Sequence, residues 1–337
     1  MSDAAVPTLV GLLPVLTFLT TLLGLDSYKL VRPTSVVAVV AAGAAAAGAS
    51  YLANLYLLRH LEIDLADYSR YVGPWVEELF KALVIVALIR AHRIGFLVDA
   101  AIFGFAVGTG FALVENVWFL HLARDAGLAT WIVRGFGTAI MHGGVTAIFA
   151  VASLAALERA PLQTRRAYLP GFVAAVLLHS AFNHLSGEPK AATLAVLIAL
   201  PPLFYAVFRH SESALRNWLG HGFDADARML ELIDSGSFSG SPPGIYLHEL
   251  KDKFHGPLIA DVLCYLRLYT ELSLRAKGIL MLRENGFEAG TDAATQERFA
   301  ELRYLEKSIG ATGLRALRPL LRMSHKELWQ LSMLAEH

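Results

Sequence analysis

The residues equipped for chemistry stand where the chain is otherwise apolar. Glu77, Glu78 and Lys81 occupy the first turns of the apolar stretch 73–90, which opens with Pro74, where a missing N–H costs nothing. Lys81 follows Glu77 by four residues and Glu78 by three, so on a helix its ammonium reaches either carboxylate. Further on come Glu115 and Asn116, then His142, then His179 with Asn183 four residues behind it on the same helical face. Carboxylates and imidazoles can take a proton from water and return it to a leaving group. The same groups can hold a metal ion, and an amide can donate to a developing oxyanion. Amide hydrolysis needs this set. Taken singly, each residue has a plainer reading: Glu and Lys dipping into headgroups at a helix end, a histidine hydrogen-bonded to a neighbouring helix, Glu115 and Asn116 as a brace.

What must position these groups is a membrane bundle. Of 337 residues, 55% are hydrophobic and 17% charged, and the mean hydropathy is positive. That places the chain among all-α polytopic membrane proteins. A formal net charge of zero argues against a nucleic-acid partner. The single cysteine, Cys264, excludes an internal disulfide framework and a cysteine-based zinc cage. Charge is unevenly spread: the last 128 residues carry 32 of the 58 charged side chains. The expected division is therefore a transmembrane domain over 1–209, with its motif-bearing core at 70–185, and a soluble helical tail over 210–337.

About seven spans are expected: 6–25, read as uncleaved, then 35–58, 73–90, 96–120, 129–157, 168–185 and 191–208, the last kinked by Pro201-Pro202. The pair Gly104-x-x-x-Gly108 lets a neighbouring helix come close, and Asp99 is a helix N-terminal charge. His184 is placed at a helix end, and Arg134 as a snorkelling interface residue. Loop cations set the orientation. Lys29, Arg32, Arg90, Arg93, Arg159, Arg165 and Arg166 fall on one side, and Arg59, Arg70, Arg124 and Lys190 on the other. The richer side is read as cytoplasmic, with the N-terminus outside and the tail inside. Following each span through the bilayer then brings Glu77, Glu78, Glu115, Asn116, His142, His179 and Asn183 to one depth, in the middle-to-outer part of the membrane. Ionisable groups inside a membrane face the bundle interior and one another.

These pieces, Glu77-Glu78-x-x-Lys81, Phe111-x-x-x-Glu115-Asn116, His142 and His179-x-x-x-Asn183, resemble the PrsW family of intramembrane proteases, related to the CAAX prenyl endopeptidases. The resemblance covers about 70–185. It implies an enzyme of a bacterial inner membrane that cuts membrane-anchored proteins, typically an anti-sigma factor on its extracytoplasmic side. It also implies that Glu77, Glu78 and the two histidines are essential, with Asn183 catalytic and Lys81, Glu115 and Asn116 supporting. The prenyl-endopeptidase branch has a histidine where this chain has Glu115, so the histidine paired with a carboxylate here would be His142. Two mechanisms stand open. In one, a carboxylate and His142 activate water while His179 and Asn183 hold the oxyanion. In the other, zinc held by Glu78, His142 and His179 supplies an activated water and leaves the second glutamate as base.

The alternative from another class is a proton- or ion-coupled transporter, which buried carboxylates and histidines also suit. No inverted repeat supports it. His248-Glu249 lacks a second histidine and is not a zinc-protease motif. Beyond a Gly, Ser and Pro-Pro linker near 235–244, helical spacing over 258–282 and 296–309, broken by Gly286 and Gly290, predicts a small helical bundle. That tail could recruit a cytoplasmic partner.

Overall fold

The computed structural model of the chain describes residues 5–123, 126–159, 165–251, 256–287, 289–290, 292–321 and 324–335, so Arg124 of the loop-charge count lies outside the described residues. Among the described residues all regular secondary structure is helical, with no strand. It divides into two compact units, Met1–Glu212 and Ser213–His337.

The first unit begins with α1 (Ala5–Gly24) and α2 (Pro33–His60), the latter opened by Pro33 at its first position. A one-turn helix α3 (Leu65–Asp67), capped by the Asp64 side chain on the Ala66 N–H, runs through a π-helical turn at Tyr68–Val72 into α4 (Gly73–Arg90). Then come α5 (Leu97–Leu122) and α6 (Leu128–Ile132). A second π-helical segment at Val133–Ala139 leads into α7 (Ile140–Arg159), followed by α8 (Tyr168–His184) and α9 (Pro189–Asp234).

Five of these stretches are long and apolar enough to cross a membrane: α1, α2, α5, the continuous rod Leu128–Arg159, and α9. The two expected spans missing from that set are α4, with four charges in 18 residues, and α8, with only 17 residues. Both still have the length of a hydrocarbon core. They are the helices that carry the glutamate pair and the His179 motif; in α4 the charged residues of the glutamate motif lower the apolar content that marks a span. The helix α9 runs through Pro201-Pro202 as one element and well beyond the expected end of the last span.

At the centre is α5, on which every residue from Val98 to Ala112 is buried among α1, α2, α4 and α7. Lipid gives little hydrophobic drive for helices to associate, so close backbone contact carries the packing. Gly104 and Gly108 provide it. A Cβ on Gly104 would lie 2.6 Å from the Ala147 Cα, and one on Gly108 would collide with the backbone carbonyl of His142. The glycine pair thus fixes where His142 sits. At the start of α5 the Asp99 carboxylate accepts the N–H groups of Gly95 and Phe96, each at 2.7 Å, as expected of an N-terminal charge.

The second unit holds the part of α9 from Ser213 onward, then α10 (Pro242–Leu250), α11 (Gly256–Glu284), α12 (Ala293–Leu317) and α13 (His325–Ala335). Leu266, Leu272 and Leu280 of α11, Leu302 and Leu305 of α12 and Trp329 of α13 are buried, and α11 packs against both α12 and α13. Gly286 ends α11 with φ of 81°, a left-handed conformation that suits glycine. The stretch near 235–244 is a 3₁₀ turn, Ser237–Gly240, followed by the start of α10 under the Ser241 cap.

Candidate active site

The glutamate pair divides its work because neighbours on a helix point about 100° apart. Glu78 turns inward, 2% exposed, and its Oε1 takes the Lys81 ammonium at 2.5 Å and His179 Nδ1 at 2.8 Å. Glu77 is 23% exposed and faces a cavity of about 570 Å³, its Oε2 lying 3.8 Å from His179 Nε2. Lys81 is fully buried, with its ammonium 4.4 Å from the Phe111 ring centre. It also reaches His142 Nδ1 at 3.0 Å. Because the ammonium can only donate, Nδ1 accepts, and His142 Nε2–H is left to donate to Glu115 Oε2 at 2.7 Å. The two imidazoles stand edge to face, 4.9 Å apart.

Each histidine is therefore held by a carboxylate on one nitrogen, His179 by Glu78 and His142 by Glu115. Neither Glu78 nor Lys81 borders the cavity, whereas Glu77, Glu115, His142, His179 and Asn183 do. Asn183 donates one amide hydrogen to the Ser69 carbonyl at 2.7 Å, and Ser180 donates to the Arg70 carbonyl at 2.6 Å. Both acceptors lie in the π-helical turn before α4, where the wider turn exposes carbonyls. The pattern His179-x-x-x-Asn183 thus ties α8 to the helix that bears the glutamates.

Asn116 is a brace, 1% exposed: its amide donates to the Gly11 carbonyl of α1 at 2.7 Å and accepts from Arg134 Nε at 2.9 Å. Arg134 departs from its expected place at the interface. It lines the cavity, donates through Nη2 to Glu115 Oε1 at 2.9 Å, and stacks 4.1 Å from the Phe119 ring centre. The signal in the sequence is a lone cation two turns before His142 in a rod otherwise free of charge until Glu158. Tyr68 and Ser69, also on the cavity wall, carry no such signal. His184 bonds its own helix at the Ser180 carbonyl, as a helix-end residue would.

Potential metal-ligand atoms of Glu77, His142 and His179 lie within 4.8 Å of one another. The expected set named Glu78 as a possible carboxylate ligand; the structure groups Glu77 with the histidines, and Glu78 is bonded to Lys81 and to the far nitrogen of His179. One carboxylate and two imidazoles are donor types that catalytic zinc centres use. The carboxylates behind both histidines are the outer partners such ligands have. The residues fit a metal with one adjustment: His142, bonded at Nδ1 to Lys81 and at Nε2 to Glu115, must release one of these partners.

A helical bundle that brings a carboxylate, two imidazoles and an amide to one cavity wall has the groups that hydrolysis within a membrane requires. The particular family follows from comparison: the model described as PrsW family intramembrane metalloprotease matches residues 32–208, and the chain belongs to that family. It is an intramembrane protease acting on membrane proteins in the bilayer, and the transporter alternative is not favoured. Comparison with curated proteins and with solved structures gives no match.

Proposed function

We propose that the protein hydrolyses a peptide bond of membrane-anchored substrates with a water activated at Glu77 and His179. The observation that carries this reading is the convergence of Glu77, His142 and His179 from three helices onto one cavity wall within 4.8 Å.

A water seated between Glu77 Oε2 and His179 Nε2, 3.8 Å apart, can donate a hydrogen to each and turn its lone pair into the cavity. As its oxygen bonds to the substrate carbonyl carbon, Glu77 takes a proton, which returns to the amine nitrogen when the C–N bond breaks. Glu78 holds the His179 ring with Nδ1–H pointing away from the cavity, so that Nε2 is the atom presented. Asn183 keeps its second amide hydrogen for the developing oxyanion. Glu115, clamped by Arg134, holds His142 in one tautomer. Zinc bound by Glu77, His142 and His179 would supply a Lewis acid and a water with a pKa of about 7.

The substrate proposed from the family resemblance is an anchored regulator such as an anti-sigma factor, cut on the outer side of a bacterial inner membrane to start a proteolytic cascade. In this reading 1–209 is the protease domain, the N-terminus is outside, and 210–337 is a cytoplasmic tail that engages a soluble partner. The test is cleavage of a panel of single-pass membrane proteins by purified protein in detergent, with and without chelator and added zinc. Cleavage lost in Glu77→Gln and in His179→Ala supports the assignment, and chelator loss restored by zinc supports the metal. Wild type and variants behaving alike would overturn it.

A further inference from the structure

Two cavities reach the site carboxylates. The second, about 280 Å³, lies between α2 and α5 and shares Glu77 and Glu115 with the first. It exists because the two helices touch and then part. At Gly43 and Gly110 the backbones are in contact: a Cβ on Gly43 would collide with the Val107 carbonyl, and one on Gly110 with the Val40 carbonyl. Further along α2, a Cβ on Gly48 would meet nothing within 4 Å. Tyr51 and Trp118, each nearly half exposed, meet across this gap edge to face, with ring centres 5.4 Å apart. On its wall Asn54 donates to Ser50 Oγ at 3.3 Å and accepts the Tyr68 hydroxyl at 2.9 Å, and Tyr68 borders the larger cavity.

The geometry points to this α2–α5 opening as the route by which the substrate's membrane segment reaches Glu77, in extended form and with small side chains next to the bond that is cut. The inference rests on the proteolytic reading above and names the path within it. Both flanking helices are long and apolar enough to cross the membrane, so a gap between them opens toward lipid. An intact helix in lipid keeps its carbonyls hydrogen-bonded, so a segment must unwind before water can attack it. An unwound segment then needs polar partners, which Ser50 and Asn54 offer and lipid does not. The open space over Gly48 admits a backbone, while the Tyr51 and Trp118 rings, in contact with each other, must part for the segment to pass and favour small side chains. A soluble peptide has the larger cavity available instead.

The test bridges the gap chemically. In a Cys264→Ser background, which removes the one native thiol, Tyr51→Cys and Trp118→Cys are joined by a short bis-maleimide. Two probes are compared in liposomes, each with a fluorophore and quencher across an Ala/Gly/Ser junction. One carries a Leu/Ala membrane segment after the junction, and the other is the junction alone. Relative to the same variant before bridging, the inference expects at least a tenfold loss for the anchored probe and less than a twofold change for the soluble one. Both probes unaffected, or both lost together, overturns the route.

A second readout needs no turnover. The anchored probe with a photoreactive group in its junction should label the segments around Tyr51 and Trp118 in Glu77→Gln. Labelling spread over the outward residues Leu13 of α1 and Ile198 of α9 would overturn the route even if neither probe is cut, whereas uncut probes with the expected labelling would fault the proteolytic reading alone.

Discussion

Replacing the two adjacent glutamates one at a time should separate chemistry from folding. Glu77 lies on the cavity wall with its Oε2 toward His179 and no role in neutralising a buried charge, so Glu77→Gln removes the proposed base and leaves the packing in place. Loss of a general base costs about 10²–10⁴-fold in rate. Glu78 is the counter-ion of Lys81, a fully buried ammonium 2.5 Å away. Glu78→Gln leaves that charge stranded, and breaking a buried pair from one side costs about 3–5 kcal/mol. Removing both charges, in Glu78→Gln with Lys81→Met, should recover most of that stability, because replacing a whole buried pair by neutral groups of similar size is often neutral. The assay pairs a cleavage rate with a thermal unfolding profile of the detergent-solubilised protein for wild type, both single variants and the double variant. The expected pattern is Glu77→Gln inactive at wild-type stability, Glu78→Gln destabilised, and the double variant stable but impaired through a misoriented His179. A Glu78→Gln protein as stable as wild type, or a Glu77→Gln protein that loses stability instead, would refute this division of labour.

Arg134→Ala should lower the cleavage rate about 10–100-fold, since hydrogen bonds to a charged group contribute roughly 1.5–3 kcal/mol. Arg134→Lys should not rescue it, because one ammonium cannot reproduce the planar fork that bonds Glu115 and Asn116 together; kinetics of both variants decide. Gly108→Val should displace His142 and destabilise the bundle by about 1–3 kcal/mol through overpacking, measurable as a lower unfolding temperature with lost activity. In the second unit, Asp292 caps α12, and hydrogen bonds from the Thr295 hydroxyl and N–H, with Arg275 nearby, hold its carboxyl down at about 2 against an ordinary 3.8. A depressed carboxyl stabilises the folded state above the unfolded value and loses that effect as pH falls. Protection of the first-turn amides of α12 from hydrogen exchange should therefore fade between pH 4 and pH 2 in wild type, and Asp292→Ala should abolish that pH dependence.

The candidate site was legible as a cluster because lipid makes ionisable groups conspicuous. Glu77, Glu78, His142 and His179 stand out in apolar surroundings, and tracing the spans in alternating directions puts them at one depth. The structure brings them together with Glu115. Which glutamate faces the cavity was beyond the sequence, since that depends on the rotation of α4 against α8 and on where Lys81 lodges. Arg134 was misplaced for a related reason: a long cationic side chain near a span end reads as snorkelling, and only the position of Glu115 and Asn116 on the facing helix shows what it holds. As a span, α4 is harder to read for the opposite reason, because the polar residues that reveal the site also lower its hydropathy. The π-helical turns at Tyr68–Val72 and Val133–Ala139 leave no mark in hydrophobic periodicity, yet the first supplies the carbonyls that anchor Ser180 and Asn183.

The most direct test of a water activated on the Glu77–His179 wall is cleavage of the single-pass panel in ¹⁸O-labelled water, followed by mass spectrometry of the new C-termini. The account predicts one ¹⁸O atom in each new carboxylate with wild-type protein and no such products with Glu77→Gln. Labelled products formed at the wild-type rate by Glu77→Gln would contradict it.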